Sequence, residues 1–291
     1  MVCYFPQSNP KRFYKMKNTC SARKEARSLL FKLGCTGALF AVVNKNFGQR
    51  DSEVEKATGP LCGGILQEGH QCGMLWGAAL AAGAEANRRT NDPSVATSLA
   101  ISTARDLVDS FSQRKSSVNC RDITNCNQKS ILGQIKFFIS GKPLNCARLI
   151  GRWAPETVST TERSLALMPE SSANPIVSCA SIVAEKMGAG KEKAMMLAGF
   201  AGGIGLSGNA CGALGAAVYL GAEKWFRENP GEVRFIVPGV EEKMRDFLVE
   251  NRGEVRCSKI CGKTFATAEE HSEYIRNGGC GKLLNVLSGT G

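Results

Sequence analysis

The sequence predicts a mainly α protein built as two tandem, internally repeated helical units, with glycine-rich loops that carry cysteines. Three observations lead there. Residues 61–78 align without a gap on residues 200–217, matching at glycines, one isoleucine, one leucine, one alanine and a cysteine. Four cysteines in each half keep one order: Cys35, Cys72, Cys120 and Cys146 answer to Cys179, Cys211, Cys257 and Cys280, with successive gaps of 37, 48 and 26 against 32, 46 and 23. Elsewhere apolar residues recur mostly at helical spacing.

The elements follow in order. Residues 1–30 read as a basic N-terminal extension, in which Lys11, Arg12, Lys15, Lys17, Arg23, Lys24 and Arg27 face only Glu25. The first repeat occupies residues 31–152. It holds the glycine-rich loop ahead of Cys72 and a helix over residues 94–111 with Val95, Leu99, Leu107, Val108 and Phe111 near helical spacing. Asn145 is placed to cap a helix beginning near Cys146. Residues 153–173 form a linker, since the stretch as far as Pro175 has three prolines and many serines and threonines. The second repeat covers residues 174–291. Asn174 and Pro175 read as cap and first residue of a helix with Ile176, Val177, Ala180 and Val183 on one face, ended by Gly188. Asn209 can cap a helix starting near Cys211, and Gly278 and Gly279 lead into another near Cys280. Residues 233–237 read as a strand closed by Pro238, and residues 240–249 as a helix.

Residues 194–222 carry no charge over 29 positions, long enough to span a bilayer. Eight of them are glycine, Ser207 and Asn209 lie at the centre, and the matching stretch of the first repeat contains Glu68, His70 and Gln71. These features favour a buried segment over a membrane span. Thirteen cysteines, an odd number, cannot all pair within the chain. No secretory signal precedes them, so the expected compartment is the reducing cytoplasm, where clustered thiols serve metals or redox chemistry. The net charge of +11 gathers at the N-terminus. It reads as a solvated tail or as a docking patch for an acidic redox partner. Nucleic acid is disfavoured because no binding motif accompanies the charge.

Four thiolates converging on one point are what an iron–sulfur cluster needs, and each half supplies four. Comparing the two copies leaves Cys3, Cys20, Cys62, Cys126 and Cys261 without counterparts. A thiol at a helix N-terminus, as expected for Cys72, Cys211, Cys146 and Cys280, should have a lowered pKa. Zinc is the nearest rival, through Cys257, Cys261, His271 and Cys280, but only in the second half. A metal-free dithiol redox or sensor protein is another alternative, and a structural zinc-binding interaction module a third. Several motifs fail. Residues 203–208 fit GxGxxG without the expected preceding strand, Gly190 and Lys191 are followed by Glu192, and no CxxCH occurs. His70 and His271 are unmatched and read as polar surface or loop residues. No nucleophile–base pair emerges, so no catalytic residue is assigned.

Cys179-Ala180-Ser181, a Gly-Gly loop, Cys211-Gly212-Ala213, Cys257 and Cys280 resemble the redox-active family named for its C-GCAxxG-C-C motif, present here as two tandem copies. The arrangement is also similar to the cysteine-bearing domain of split-Soret cytochrome c. The resemblance implies redox chemistry at a cysteine-ligated iron–sulfur centre; the expectation for this chain is a cluster of 2Fe–2S or 4Fe–4S type in each repeat, moving electrons and not transforming a metabolite. The first copy departs from the motif at Met74, and the second at Ala216.

Overall fold

The computed structural model describes residues 10–169 and 174–289, with side chains from Cys20 onward. Among these residues the chain forms fourteen α-helices, two single-turn 3-10 helices (Gly59–Leu61 and Ala198–Phe200) and two isolated antiparallel bridges. Seven of the α-helices belong to each half. In the first they are α1 (Pro10–Asn46), α2 (Ser52–Ala57), α3 (Gly73–Arg89), α4 (Pro93–Ser112), α5 (Cys120–Thr124), α6 (Ile131–Ile139) and α7 (Lys142–Ser164). In the second they are α8 (Cys179–Lys186), α9 (Lys191–Met196), α10 (Gly212–Glu228), α11 (Val240–Glu250), α12 (Cys257–Ile260), α13 (Ala268–Arg276) and α14 (Gly281–Ser288).

Local chemistry sets many of the boundaries. Asp92 accepts hydrogen bonds from the Ser94 and Val95 amides while Pro93 opens α4, a pairing of cap and preset φ that starts a helix. Gly188, with φ of 79°, follows the end of α8 as a left-handed stop. The helix expected to start at Asn174 begins instead at Cys179. The Ile176 and Val177 amides are engaged by the side chains of Ser94 and Ser272, and Ser178 becomes the cap by accepting from the Ala180 amide. The expected strand over residues 233–237 does not form. It finds no partner strand, and its apolar residues are used by packing: Val237 is buried and Phe235 lies against Gly34.

Two regions read from composition as accessory are structural. Residues 153–164, expected to begin a linker, belong to α7, where Trp153 is fully buried, forms a T-shaped contact with Phe111 at 4.9 Å and donates to Ser110. Burial of that face holds the helix through Pro155, which removes one backbone donor. The N-terminal stretch continues into α1, where Ala26 is buried and Arg23 and Arg27 donate to the Gly151 and Ala147 carbonyls of α7.

The halves correspond helix for helix. α2 and α9 start 139 residues apart, α3 and α10 likewise, and α6 and α13 start 137 apart. They pack reciprocally: α3 rests on α9 while α10 rests on α2, the arrangement of an isologous dimer within one chain. One continuous core spans both halves, with Trp76 and Phe200 in edge-to-face contact at 4.7 Å. The uncharged residues 194–222 divide among α9, a tight loop and α10. The part of α1 from Cys20 to Asn46 is the single described helix long and apolar enough to cross a membrane, and just over half of its most apolar stretch is buried inside the protein.

Candidate functional site: two groups of buried thiols

Each half builds its site on an unusual loop. Gly63, Gly64, Ile65, Leu66 and Gln67 all have positive φ, and Gly202, Gly203, Ile204, Gly205 and Leu206 repeat the run position for position. This is a turn of left-handed helix, which costs a non-glycine residue about 1–2 kcal/mol each, so glycine at the matched places lowers the strain. The backbone bonds that close it are also duplicated: Gln67 to Cys62 and Gly69 to Gly63 in one copy, Leu206 to Ala201 and Gly208 to Gly202 in the other. At Gly64 and Gly203 a Cβ would run into the backbone of His70 and Asn209.

The loop delivers the second cysteine to the third. Beyond the left-handed turn, Gln71 bridges Asn119, and Ala210 bridges Arg256. The Cys72 amide donates to Val118 and the Cys120 amide to His70, at 2.8 and 2.7 Å. The same pair of bonds joins Cys211 to Val255 and Cys257 to Asn209, at 2.9 and 2.6 Å. Cys72 and Cys211 then become the N-caps of α3 and α10. The first cysteine comes from a helix start: Cys179 opens α8, and Cys35 follows the break that Gly34, at φ 72°, makes inside α1. Gly73 admits it, since a Cβ there would lie 2.6 Å from the Cys35 sulfur. The fourth cysteine differs: Cys280 caps α14, whereas Cys146 lies one turn inside α7, which Gly141 and not Asn145 precedes.

In the second half Cys179, Cys211, Cys257, Cys261 and Cys280 line one apolar pocket with Phe265, whose free space is about 10 Å³, room for roughly one water. Cys261 links its neighbours, 3.8 Å from the Cys257 sulfur and 3.6 Å from that of Cys280. In the first half Cys35, Cys72, Cys120 and Cys146 act on one another electrostatically, and Cys126 acts on the last two. Cys62 packs against Thr36, with its sulfur 3.3 Å from the hydroxyl, and hydrogen-bonds Cys35. Cys62, Cys126 and Cys261, unmatched in sequence, therefore join the sites. Cys261 alone had a signal, its place in the Cys-Cys-His-Cys set. Eleven described cysteines are free thiols, and Cys20 is disulfide-bonded.

The electrostatics reverse one expectation. Helix N-termini do not lower the pKa of Cys72, Cys211, Cys146 or Cys280. Burial is the leading influence at the first three, raising Cys72 and Cys211 and bringing Cys146 up to about 12; Cys280 is raised first by its bond to Cys261 and then by burial. Amide donors, such as those of Met74 to Cys72 and Leu214 to Cys211, offset only part of this. Cys35 is the exception, brought down to about 7 chiefly by the hydrogen bond from Cys62, whose own pKa that bond raises. His271 is no surface residue: it is 2% exposed, borders the second pocket and is pushed down to about 4 by burial, with Nδ1 unpartnered.

The thiols stand as packed neighbours: among the described residues no three histidine, cysteine or carboxylate side chains are already drawn to metal-ligand geometry. Fold and site together define a duplicated helical protein with one group of buried thiols per copy. The family described as "Putative redox-active protein (C_GCAxxG_C_C)" matches residues 33–159 and 177–287, and the chain belongs to that family as two tandem copies. No curated protein and no solved structure matches it.

Proposed function

We propose that each half carries an iron–sulfur centre on its four matched cysteines and that the protein transfers electrons. One observation carries this reading: a strained left-handed turn and a two-bond bridge, present in both halves, hold the second and third thiols together. Strain of that kind persists where function needs it. The donor set suits the group, because soft thiolates in an apolar wall with amide donors nearby are what such clusters use. Cys35, Cys72, Cys120 and Cys146 would hold one centre and Cys179, Cys211, Cys257 and Cys280 the other; bound there, a cluster supplies a reversible electron-transfer step. The protein's part is to give up the thiol protons, exclude water with residues such as Phe265 and Leu284, and donate the Gly202 and Ala180 amides toward Cys179.

The basic N-terminal stretch of α1 is the proposed docking site for an acidic redox partner. Within the described part of that stretch Arg23 and Arg27 are engaged with α7 and Lys24 is exposed, and the steering charge is proposed from the sequence's cluster of Lys11, Arg12, Lys15, Lys17 and Lys24. The free thiols suit a cytoplasmic setting.

Anaerobic purification followed by iron and acid-labile sulfide analysis tests the assignment. Iron and sulfide in near-equal amounts, with the second half's share lost and the first half's kept when Cys211 is replaced by serine, is the expected result. One zinc per chain, or an iron-free protein, rejects it. A second reading, a metal-free dithiol centre, draws on the hydrogen-bonded Cys35–Cys62 pair with its acidified member. It predicts a titratable disulfide between those two and no metal.

A further inference from the structure

A cavity of about 420 Å³ opens beside the first thiol group, between the end of α4, α5 and the first turns of α7. Cys146 forms part of its wall, and Arg114, Lys115, Lys142, Arg148 and Arg152 surround it. Among the described residues no carboxylate lines it. Arg114 is ion-paired with Glu156 outside the cavity, and Arg148 donates to Asn145 Oδ1 at 2.9 Å, which leaves its charge unanswered. Lys115 and Lys142 are near enough to act on Cys146 through their charge.

Converging like charges repel, and the arrangement is stable at lowest cost with a counter-anion between them. The second half shows the alternative. Counting from the fourth cysteine, Arg148 corresponds to Lys282, which is paired with Glu250 at 2.9 Å. Arg256, beside the third cysteine there, is paired with Glu254 at 3.1 Å. Those two cations of the second half have carboxylate partners, whereas among the described residues Lys115, Lys142, Arg148 and Arg152 at the first-half cavity have none within ion-pair distance. The volume lies within the roughly 300–1,000 Å³ of cavities that hold small molecules.

We propose that this cavity is a binding site for a small anion bearing at least two negative charges, held by Lys115, Lys142 and Arg152 and brought alongside Cys146. The site is confined to the first half and does not depend on any centre held by the thiols. A cationic molecule is repelled by this lining and a neutral one leaves its charges unanswered, whereas phosphoryl or paired carboxylate groups meet them.

Titration calorimetry with inorganic pyrophosphate, on the full chain at constant ionic strength, tests it. A single equivalent should bind. Lys115→Gln, Lys142→Gln and Arg152→Gln should each weaken it by about tenfold, while Lys282→Gln leaves it unchanged. These positions are at or near the surface, so thermal unfolding should confirm an intact fold. Bound pyrophosphate should also slow alkylation of Cys146 by iodoacetamide without slowing that of Cys280. Absence of binding at millimolar pyrophosphate, or equal weakening by Lys282→Gln, overturns the proposal.

Discussion

Cys35 and Cys62 depend on each other. The Cys62 thiol donates to Cys35, so the Cys35 anion is favoured although the site is buried. Cys62→Ala removes the donor and keeps the burial, so the Cys35 pKa should rise from about 7 into or above the ordinary thiol range. The pH dependence of iodoacetamide labelling in reduced, metal-free protein measures this, and an unmoved midpoint would show that Cys62 is not the donor. His271 gives a second test. Its folded pKa of about 4 lies below the unfolded value near 6.5, so the unfolded chain binds the proton first as pH falls. Stability present above pH ~6.5 should be lost progressively toward pH ~4, by up to about 3 kcal/mol. Denaturant titrations of His271→Leu across that interval should show a flatter acid limb than wild type.

At the scale of elements, the left-handed turn concentrates both the strain and the duplication. Gly203→Ala and Gly64→Ala would each place a methyl group against backbone and force a non-glycine residue into positive φ. Each should cost at least about 2 kcal/mol. Because the turn feeds the bridge, each should also loosen the cysteine pair of its own half, read as faster hydrogen exchange at the Cys72 or Cys211 amide. Equal protection in variant and wild type would mean that the bridge forms without the turn. α6 and α13 show how the copies diverged at equivalent places. α13 buries His271, Ser272 and Ile275, whereas α6 exposes Ile131, Leu132, Phe138 and Ile139 and buries only Gly133.

On the scale of the whole molecule, the repeats behave as a dimer that has become one chain. α3 and α10 each lie against the other half, and one core runs through both. Trp76, fully buried against Phe200, should therefore cost both halves: Trp76→Ala is expected to destabilise by about 3–5 kcal/mol and keep a single unfolding transition. Two separated transitions in calorimetry would show that the units fold independently. The charge distribution makes a kinetic prediction. Neutralising Lys11, Arg12, Lys15, Lys17 and Lys24 together should slow reduction by an acidic donor at low salt. It should leave the visible spectrum unchanged, and the rate difference should vanish as salt rises.

The duplication, the helical class and the order of the cysteines are legible in the sequence alone, because glycines required for positive φ and four thiols in one order persist in both copies. Sequence also determined α4 and α11 closely, where the apolar spacing is helical and packing had nothing to overrule. Tertiary structure decided what those local signals could not. The helix at Asn174 gave way because Ser94 and Ser272 take its first amides, and residues 153–164, the first part of the expected linker, continue α7 because Trp153 has a core to enter. It also decided thiol chemistry: a helix N-terminus lowers a thiol's pKa by a local field, but desolvation and neighbouring sulfurs, which exist only once the chain has folded, act in the opposite direction and win. Cys62 and Cys126 joined the first group for the same reason, since nearness of side chains far apart in sequence is a property of packing alone.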